Sequence, residues 1–289
     1  MGQSNVALAP STLLDVAVEA ARAGADVIAT AAPRVRSLTW RTKRPADFVS
    51  EVDLASEAAI VAVIRERAPG ASVLAEEGGT LAPATPAQGS AVAHDRPRSA
   101  VDAADMIGVT FVVDPLDGTT NFLHGYPEYA VSVGVLHGDE LMAGVVVDVA
   151  LGETFTAVRG GGAFVNGTPI RVSDINDPAR ALIGTGFPFT RMEDVDAYVG
   201  QLARVMRGAA GVRRAGAAAL DLAAVAAGRF DAFWETVLSP WDIAAGILLV
   251  REAGGIVTDT AGAPIAVRRT GVVAGNAAMH AWLLRHLGA

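Results

Sequence analysis

The chain contains no cysteine. That excludes a disulfide-braced scaffold, a thiol nucleophile and any zinc or iron–sulfur centre built on thiolates. Cations are scarce relative to anions: 23 Lys and Arg stand against 31 Asp and Glu, a formal net charge of -8. A general nucleic-acid binder needs a basic face, and this balance argues against one, as does the lack of any basic, aromatic-lined motif. No apolar stretch approaches the roughly 18 residues a membrane helix needs. The opening MGQSNVALAP lacks the charged and apolar regions of a signal peptide, and Val6 stands where N-myristoylation wants Ser or Thr. The expectation is an acidic, cytoplasmic protein with no membrane or nucleic-acid partner. Its 289 residues suffice to hide roughly 75% of the unfolded chain's surface without disulfides.

Ser11 and Thr12 precede an Ala-rich stretch, Leu13 to about Ala32, that reads as a helix stopped by Pro33. Val52, Ala55, Ala59, Ile60, Val63 and Ile64 recur at helical spacing before Pro69-Gly70 ends the run. A short buried-strand pattern, ASVLA, then delivers Glu76-Glu77. Residues 80–105 are rich in Ala, Pro, Gly and Ser without periodicity, and read as an inserted mobile loop. Strand patterns follow at 109–113, 129–136 and 141–150, and Asn166-Gly167 signals a hairpin. The second half alternates strand-like and helix-like pieces, with helices near 191–207, over 217–227 and from Ser239-Pro240 to Ala253. Alternation throughout indicates a layered α/β or α+β fold.

The stretch Phe111-Val112-Val113-Asp114-Pro115-Leu116-Asp117-Gly118-Thr119-Thr120 carries the most chemistry. Three buried residues deliver Asp114 to an expected strand end, where Pro115 removes a ladder donor and turns the chain. Gly118-Thr119-Thr120 looks like the start of a short helix. Such a turn aims two carboxylates and the Leu116 carbonyl at one point, with backbone N–H groups facing an anion beyond it. Hard cations such as Mg²⁺ take oxygen ligands of this kind. Either Asp-Pro or Asp-Gly alone is an ordinary turn signal. The full string D-P-x-D-G-T is expected by chance in a chain this long on the order of once in ten thousand.

DPLDGTTNF resembles the signature of the inositol monophosphatase family, Mg²⁺-dependent and Li⁺-sensitive phosphatases related to fructose-1,6-bisphosphatase. Trp241-Asp242-Ile243-Ala244-Ala245-Gly246 followed by Glu252-Ala253-Gly254-Gly255 resembles its second signature. Asp47-Phe48-Val49-Ser50-Glu51-Val52-Asp53 and Glu76-Glu77-Gly78 fall in order as further landmarks, and residues 213–235 look like the bacterial inositol-1-monophosphatase branch. The resemblance runs from about Lys43 to the C-terminus. It implies a layered α-β-α-β-α sandwich, one domain over 1–289 with halves of about 1–175 and 176–289, and a homodimer.

By that resemblance Glu76, Asp114 and the Leu116 carbonyl hold one Mg²⁺. Asp114, Asp117 and Asp242 hold a second, with a more weakly bound third ion near Glu76. The physical case agrees, because two carboxylates 4 Å apart repel by roughly 4 kcal/mol at an effective dielectric near 20. A cluster of four needs protons or cations between them. Asp242 also suits position N3 of a helix capped by Ser239, and Asp53 suits the first turn of another.

In the family a threonine and an aspartate orient and deprotonate the attacking water; here those positions are Thr119 and Asp53. The resemblance implies that the amides of Gly118, Thr119 and Thr120 would hold the phosphate, with Asp117 beside it, and that the alcohol would meet Gly216, Ala217, Ala218 and Glu235. Lys43 could steer anions to the site, and Arg213 or Arg214 could touch substrate or a second subunit. His124 reads as a packed or surface histidine, and Trp241 as a packing anchor. The activity implied is hydrolysis of a phosphate monoester, with inositol 1-phosphate as best guess. Histidinol phosphate, fructose 1,6-bisphosphate and nucleotide 3′-phosphates are alternatives on the same site. A non-catalytic regulatory or binding scaffold is the alternative of a different class.

Overall fold

Pro10 opens the first helix, α1 (Pro10–Ala31), at a position where a missing N–H breaks no intrahelical bond. Leu13, Val16, Ala17, Ala20, Gly24 and Ile28 recur at three- and four-residue spacing and are buried. They face α2 (Glu51–Arg67), and a Cβ at Gly24 would lie 2.7 Å from both Ile60 Cδ1 and Ser56 Oγ. At Gly24 the two helices therefore approach too closely for any side chain. We describe a computed structural model of the chain, comprising residues 9–44, 47–83, 108–187, 189 and 192–288. Most of the 80–105 insertion thus lies outside the described residues.

Between the helices β1 (Trp40–Arg44) and β2 (Asp47–Ser50) form an antiparallel hairpin. A large sheet follows, built from β3 (Ser72–Ala75), β4 (Gly79–Leu81), β5 (Val109–Asp117), β6 (Ala130–His137), β7 (Glu140–Asp148), β8 (Glu153–Val158), β9 (Gly162–Val165) and β10 (Thr168–Pro169). Its order is β10-β9-β8-β7-β6-β5-β3-β4, antiparallel except where β3 runs beside β5. Asn166 and Gly167 both take positive φ, as the two-residue turn between β9 and β10 demands. A second sheet contains β11 (Leu182–Thr185), β12 (Gly211–Arg213), β13 (Ala232–Leu238), β14 (Ile256–Thr258) and β15 (Thr270–Gly275), in the order β12-β11-β13-β15-β14.

Burial on both faces of each sheet gives five layers. α1 and α2 cover one face of the large sheet, packing on Phe111, Val113, Val133 and Val145. α5 (Ala218–Ala226) and α6 (Pro240–Glu252) fill the space between the sheets, touching Val112, Val146 and Phe155 on one side and Phe233 and Val272 on the other. α4 (Val195–Met206) and α7 (Ala277–Leu287) close the outer face of the small sheet around Trp234, Ile183 and Val273. The layers are α-β-α-β-α, the sandwich expected from the sequence.

Two glycines fix how deeply α6 sits. A Cβ at Gly134 would lie 2.5 Å from Ala244 Cβ and 3.0 Å from its carbonyl carbon, and one at Gly144 would lie 3.0 Å from the Ala245 backbone. At its C-terminal end α6 is tied down by Glu252, whose carboxylate accepts from the Gly160 and Gly162 amides at 2.9 Å each. Gly134→Val should therefore push α6 off the sheet and lower stability by about 1–3 kcal/mol. The check is urea unfolding with an unchanged slope; an unshifted midpoint would show that α6 does not rest on this contact.

Candidate active site

β5 does not stop at Asp114, as the sequence suggested; it continues to Asp117. Asp114 pairs with Ser132 and Asp117 with Ala130, so β5 holds one residue more than its partner over this step. Pro115 lies in that bulge, where its missing N–H breaks no ladder bond. The Pro115 carbonyl accepts from Ser56 Oγ at 2.7 Å, pinning the bulge to α2. Asp114 Oδ1 accepts the Leu116 amide at 3.1 Å. Gly118 then turns left-handed, with φ of 85°, and a Cβ there would come within 2.7 Å of the Glu128 carbonyl oxygen. Only glycine fits, and α3 (Thr119–His124) begins immediately after it.

Four acidic side chains are each anchored by a backbone amide. Asp117 Oδ2 accepts from Ala219 N at 2.7 Å, at the start of α5. Asp242 Oδ2 accepts from Ser239 N at 2.7 Å in the capping box of α6. Asp53 Oδ2 accepts from the Ser50 amide at 2.8 Å and its hydroxyl at 2.5 Å, the capping box of α2. With Asp114 on Leu116 N, each carboxylate keeps a second oxygen to meet its surroundings. Asp53 Oδ1 meets Thr119 Oγ1 at 3.1 Å, and that hydroxyl is also 2.9 Å from the Leu116 carbonyl. Glu76, one residue past β3, donates its amide to Val113 O at 3.2 Å and so lies beside β5.

The electrostatics follow from crowding. Asp114 is pushed well above the ordinary carboxylate range by burial first, then by the charges of Glu76, Asp117 and Asp242. Asp117 rises to about 7, again chiefly by burial, with Glu76 adding to it and the Ala219 and Ala218 amides opposing. Asp242 rises to about 7 through burial and Asp117, although it shares a hydrogen bond with Asp114. That bond requires a proton between two acids. Glu235 rises to about 8, from burial and the charge of Asp242, with Arg214 opposing. Asp114 is 2% exposed, whereas Glu76, Asp117, Glu235 and Asp242 keep part of their surface open. Among the described residues no three Asp, Glu or His side chains are already closed around one point as a metal shell.

The sequence model of the inositol monophosphatase family matches residues 9–289. The chain belongs to the inositol monophosphatase family. It is 43% identical over 266 residues to the Nus factor SuhB of Pseudomonas aeruginosa, covering 91% of each chain. It is 41% identical over 278 residues to an inositol-1-monophosphatase of Mesorhizobium japonicum, covering 96% of this chain and 97% of that one. Among solved structures, the extragenic suppressor protein suhB of Bartonella henselae superposes with a TM-score of 0.84 at 38% identity, over 96% of this chain and 98% of that one.

Family membership directs attention to how the remaining expected residues stand. Glu235 is on β13, the central strand of the small sheet, so close to Gly186 that a Cβ there would overlap its carboxylate. Gly216 takes φ of 99°, and a Cβ there would meet Arg214 Nη1 at 2.4 Å and Asn121 Nδ2 at 3.0 Å. Asn121 in turn donates to the Ala215 and Glu128 carbonyls at 3.0 and 2.8 Å, tying α3 to the loop before α5. Ala217 and Ala218 are buried at the head of α5. Thr120 is exposed on α3. Arg213 is exposed and donates to the neighbouring Val212 carbonyl at 3.1 Å. His124 is exposed, its Nδ1 2.8 Å from the Thr120 carbonyl, and Trp241 packs against the core between the sheets. The Lys43 side chain lies outside the described residues. Ser50, Glu128 and Asp221 join the site's hydrogen bonds or electrostatics without having been anticipated. The one sequence signal for Asp221 is a lone charge inside the apolar run AALDLAAVA.

A carboxyl that holds its proton only in the fold contributes stability below the unfolded pKa of about 4, and loses it as pH rises through the folded value. For Asp242 that window runs up to about 7. With divalent cations chelated, Asp242→Asn should therefore become progressively more stable than the wild type between pH 5 and 8. Thermal melts would check this; a difference independent of pH would contradict the crowding.

Proposed function

We propose that the protein hydrolyses phosphate monoesters with the help of Mg²⁺, and that inositol 1-phosphate is the best candidate substrate. The observation that carries this reading is the set of acids Glu76, Asp114, Asp117 and Asp242, in which burial and neighbouring charges raise the pKa of the three aspartates while a backbone amide fixes each of those three. Uncompensated, that arrangement is costly. All its donors, with the Leu116 carbonyl, are hard oxygens suited to Mg²⁺. Glu76, Asp114 and Leu116 would hold one ion and Asp114, Asp117 and Asp242 another. Bound there, such ions neutralise the phosphoryl and leaving oxygens and activate water.

The chain's own groups supply the rest. The first amides of a helix lack intrahelical partners, so Gly118, Thr119 and Thr120 N–H groups are available to the phosphate oxygens. Thr119 Oγ1 orients a water, and Asp53, directly hydrogen-bonded to it, receives the proton as the water oxygen attacks phosphorus. Burial raises the Asp53 pKa while bonds from Ser50 and Thr119 oppose it, which suits a general base. The P–O bond to the alcohol breaks, the leaving oxygen takes a proton from solvent water, and Asp53 returns its own proton to solvent. Glu235 and the Gly216–Ala218 wall receive the alcohol. No helix among the described residues is long and apolar enough to cross a membrane, and we take the site of action to be the cytoplasm and the working unit to be a homodimer.

A second reading is that the chain serves as a Nus factor, since relatives of equal similarity carry that name. Phosphate release from inositol 1-phosphate, histidinol phosphate, fructose 1,6-bisphosphate and adenosine 3′,5′-bisphosphate, with and without Mg²⁺ and Li⁺, separates the two. Mg²⁺-dependent, Li⁺-inhibited turnover is expected. No turnover by folded, Mg²⁺-loaded protein would favour the non-catalytic reading. Asp114→Asn and Asp242→Asn should each reduce turnover at least a hundredfold while the far-UV circular dichroism is unchanged, an effect of the size typical for a lost catalytic electrostatic group. Near-wild-type rates in either would reject the ligand assignment.

A further inference from the structure

Three buried polar side chains stand on one face of α2. Asp53, Ser56 and Glu57 fall at positions i, i+3 and i+4, and are 0%, 0% and 9% exposed. A buried polar group is costly unless it finds a partner, and each of these finds one on a different segment of the site. Asp53 Oδ1 meets Thr119 Oγ1. Ser56 Oγ donates to the Pro115 carbonyl at 2.7 Å. Glu57 Oε2 accepts from the Glu77 amide at 3.0 Å. Glu57 Oε1 lies against Gly78, where a Cβ would come within 2.6 Å of it. The carboxylate is thus seated against the turn, Glu76 to Gly78, that joins β3 to β4.

Peptide planarity carries these contacts to the acids. The Pro115 carbonyl and the Leu116 N–H belong to one rigid plane. Ser56 holds that plane by its oxygen, and its nitrogen bonds to Asp114 Oδ1 at 3.1 Å. Ser56 therefore fixes the group that orients the Asp114 carboxylate. Glu57 likewise fixes the plane that follows Glu76. On the other side of the same Cα, the Glu76 amide donates to the Val113 carbonyl at 3.2 Å. Resting on the Mg²⁺-dependent phosphomonoester reading above, we propose that Ser56 and Glu57 are positioning residues. Consecutive on a rigid helix, they set how far Glu76 stands from Asp114 and the Leu116 carbonyl, and so tune the affinity of the ion those three would hold. Glu57 acts as an acceptor of fixed reach, not through its charge. Asp117 and Asp242 take their amides from Ala219 and Ser239, outside α2.

The test compares Glu57→Gln, Glu57→Asp and Ser56→Ala with the wild type. Metal-stripped protein is titrated calorimetrically with Mg²⁺, and kcat and KM on inositol 1-phosphate are measured across Mg²⁺ concentrations. Gln keeps the reach and an acceptor oxygen but loses the charge; Asp keeps the charge and falls one methylene short. Glu57→Asp is expected to weaken Mg²⁺ binding about tenfold, the lower end for an outer partner of a metal ligand. Ser56→Ala is expected to weaken it about fivefold, the size of one neutral hydrogen bond. Glu57→Gln is expected to bind Mg²⁺ as the wild type does. In every variant kcat should recover as Mg²⁺ approaches saturation, with KM for the ester unchanged. Weakening by Glu57→Gln as large as that by Glu57→Asp would assign the effect to charge and overturn the positioning role. Lowered melting temperatures of metal-free Glu57→Asp and Ser56→Ala with unchanged Mg²⁺ affinity would make both residues merely structural and overturn it too. Should Glu57→Asp not fold, the Mg²⁺ affinity of Ser56→Ala decides. If the wild type binds Mg²⁺ without releasing phosphate, the hydrolytic reading fails and the affinities alone decide the positioning role. If it binds no Mg²⁺, the metal assignment fails and the positioning role with it.

Discussion

Repulsion among acids confined between two sheets is the constraint around which the rest of the molecule is arranged. Glu76, Asp114, Asp117 and Asp242 approach one another from the end of β3, from β5 and from α6, and Glu76, Asp117 and Asp242 each raise the proton affinity of Asp114. They stay in place because one oxygen of Asp114, Asp117 and Asp242 is held by a backbone amide. For Asp117 and Asp242 the amide belongs to a helix N-terminus, where the positive end of the backbone dipole favours a carboxylate. Asp53 repeats the device on α2. Three helices thus point their N-termini at one region, and a carboxylate caps each. What functions locally as a cap also leaves each carboxylate a second oxygen not held by that amide.

The spacing of that array is set by packing far from the acids. Asp242 can approach Asp114 only because α6 sits close on the large sheet, and it sits close because Gly134 and Gly144 offer no side chain. Ser56 and Gly24 do the same for α2, which must bring Asp53 within reach of Thr119. Glycine and alanine at layer contacts are therefore as much part of the site's geometry as the acids themselves.

Much of this was legible in the sequence. The helices α1, α2, α5 and α6 follow from apolar spacing and their stop signals, and the central strands from runs of Val and Ala. The bulge at Pro115 was not, because a strand that accepts one extra residue looks in sequence like a strand that ends. Asp242 was readable both as a helix cap and as a ligand, and the capping box shows that the first reading holds physically whatever else it does. The hairpin over 40–50 went unread because its residues are mostly polar and lack the alternation of a half-buried strand. Asp221 was overlooked for the opposite reason. Its surroundings are so apolar that the helix pattern absorbs it, and only its missing partner marks it out.

The two sheets divide the chemistry between them. Everything that touches phosphate in the proposed reaction comes from β5, α3 and α2, on the large sheet, where the turn at Gly118 tolerates no other residue. Everything that touches the alcohol in that reading comes from β13 and the loop into α5, where the Glu235 side chain stands beside the Gly216–Ala218 wall. A backbone-built half resists change, because altering it means altering the fold. A side-chain-built half changes with single substitutions. Selectivity among phosphate esters should accordingly reside around Glu235.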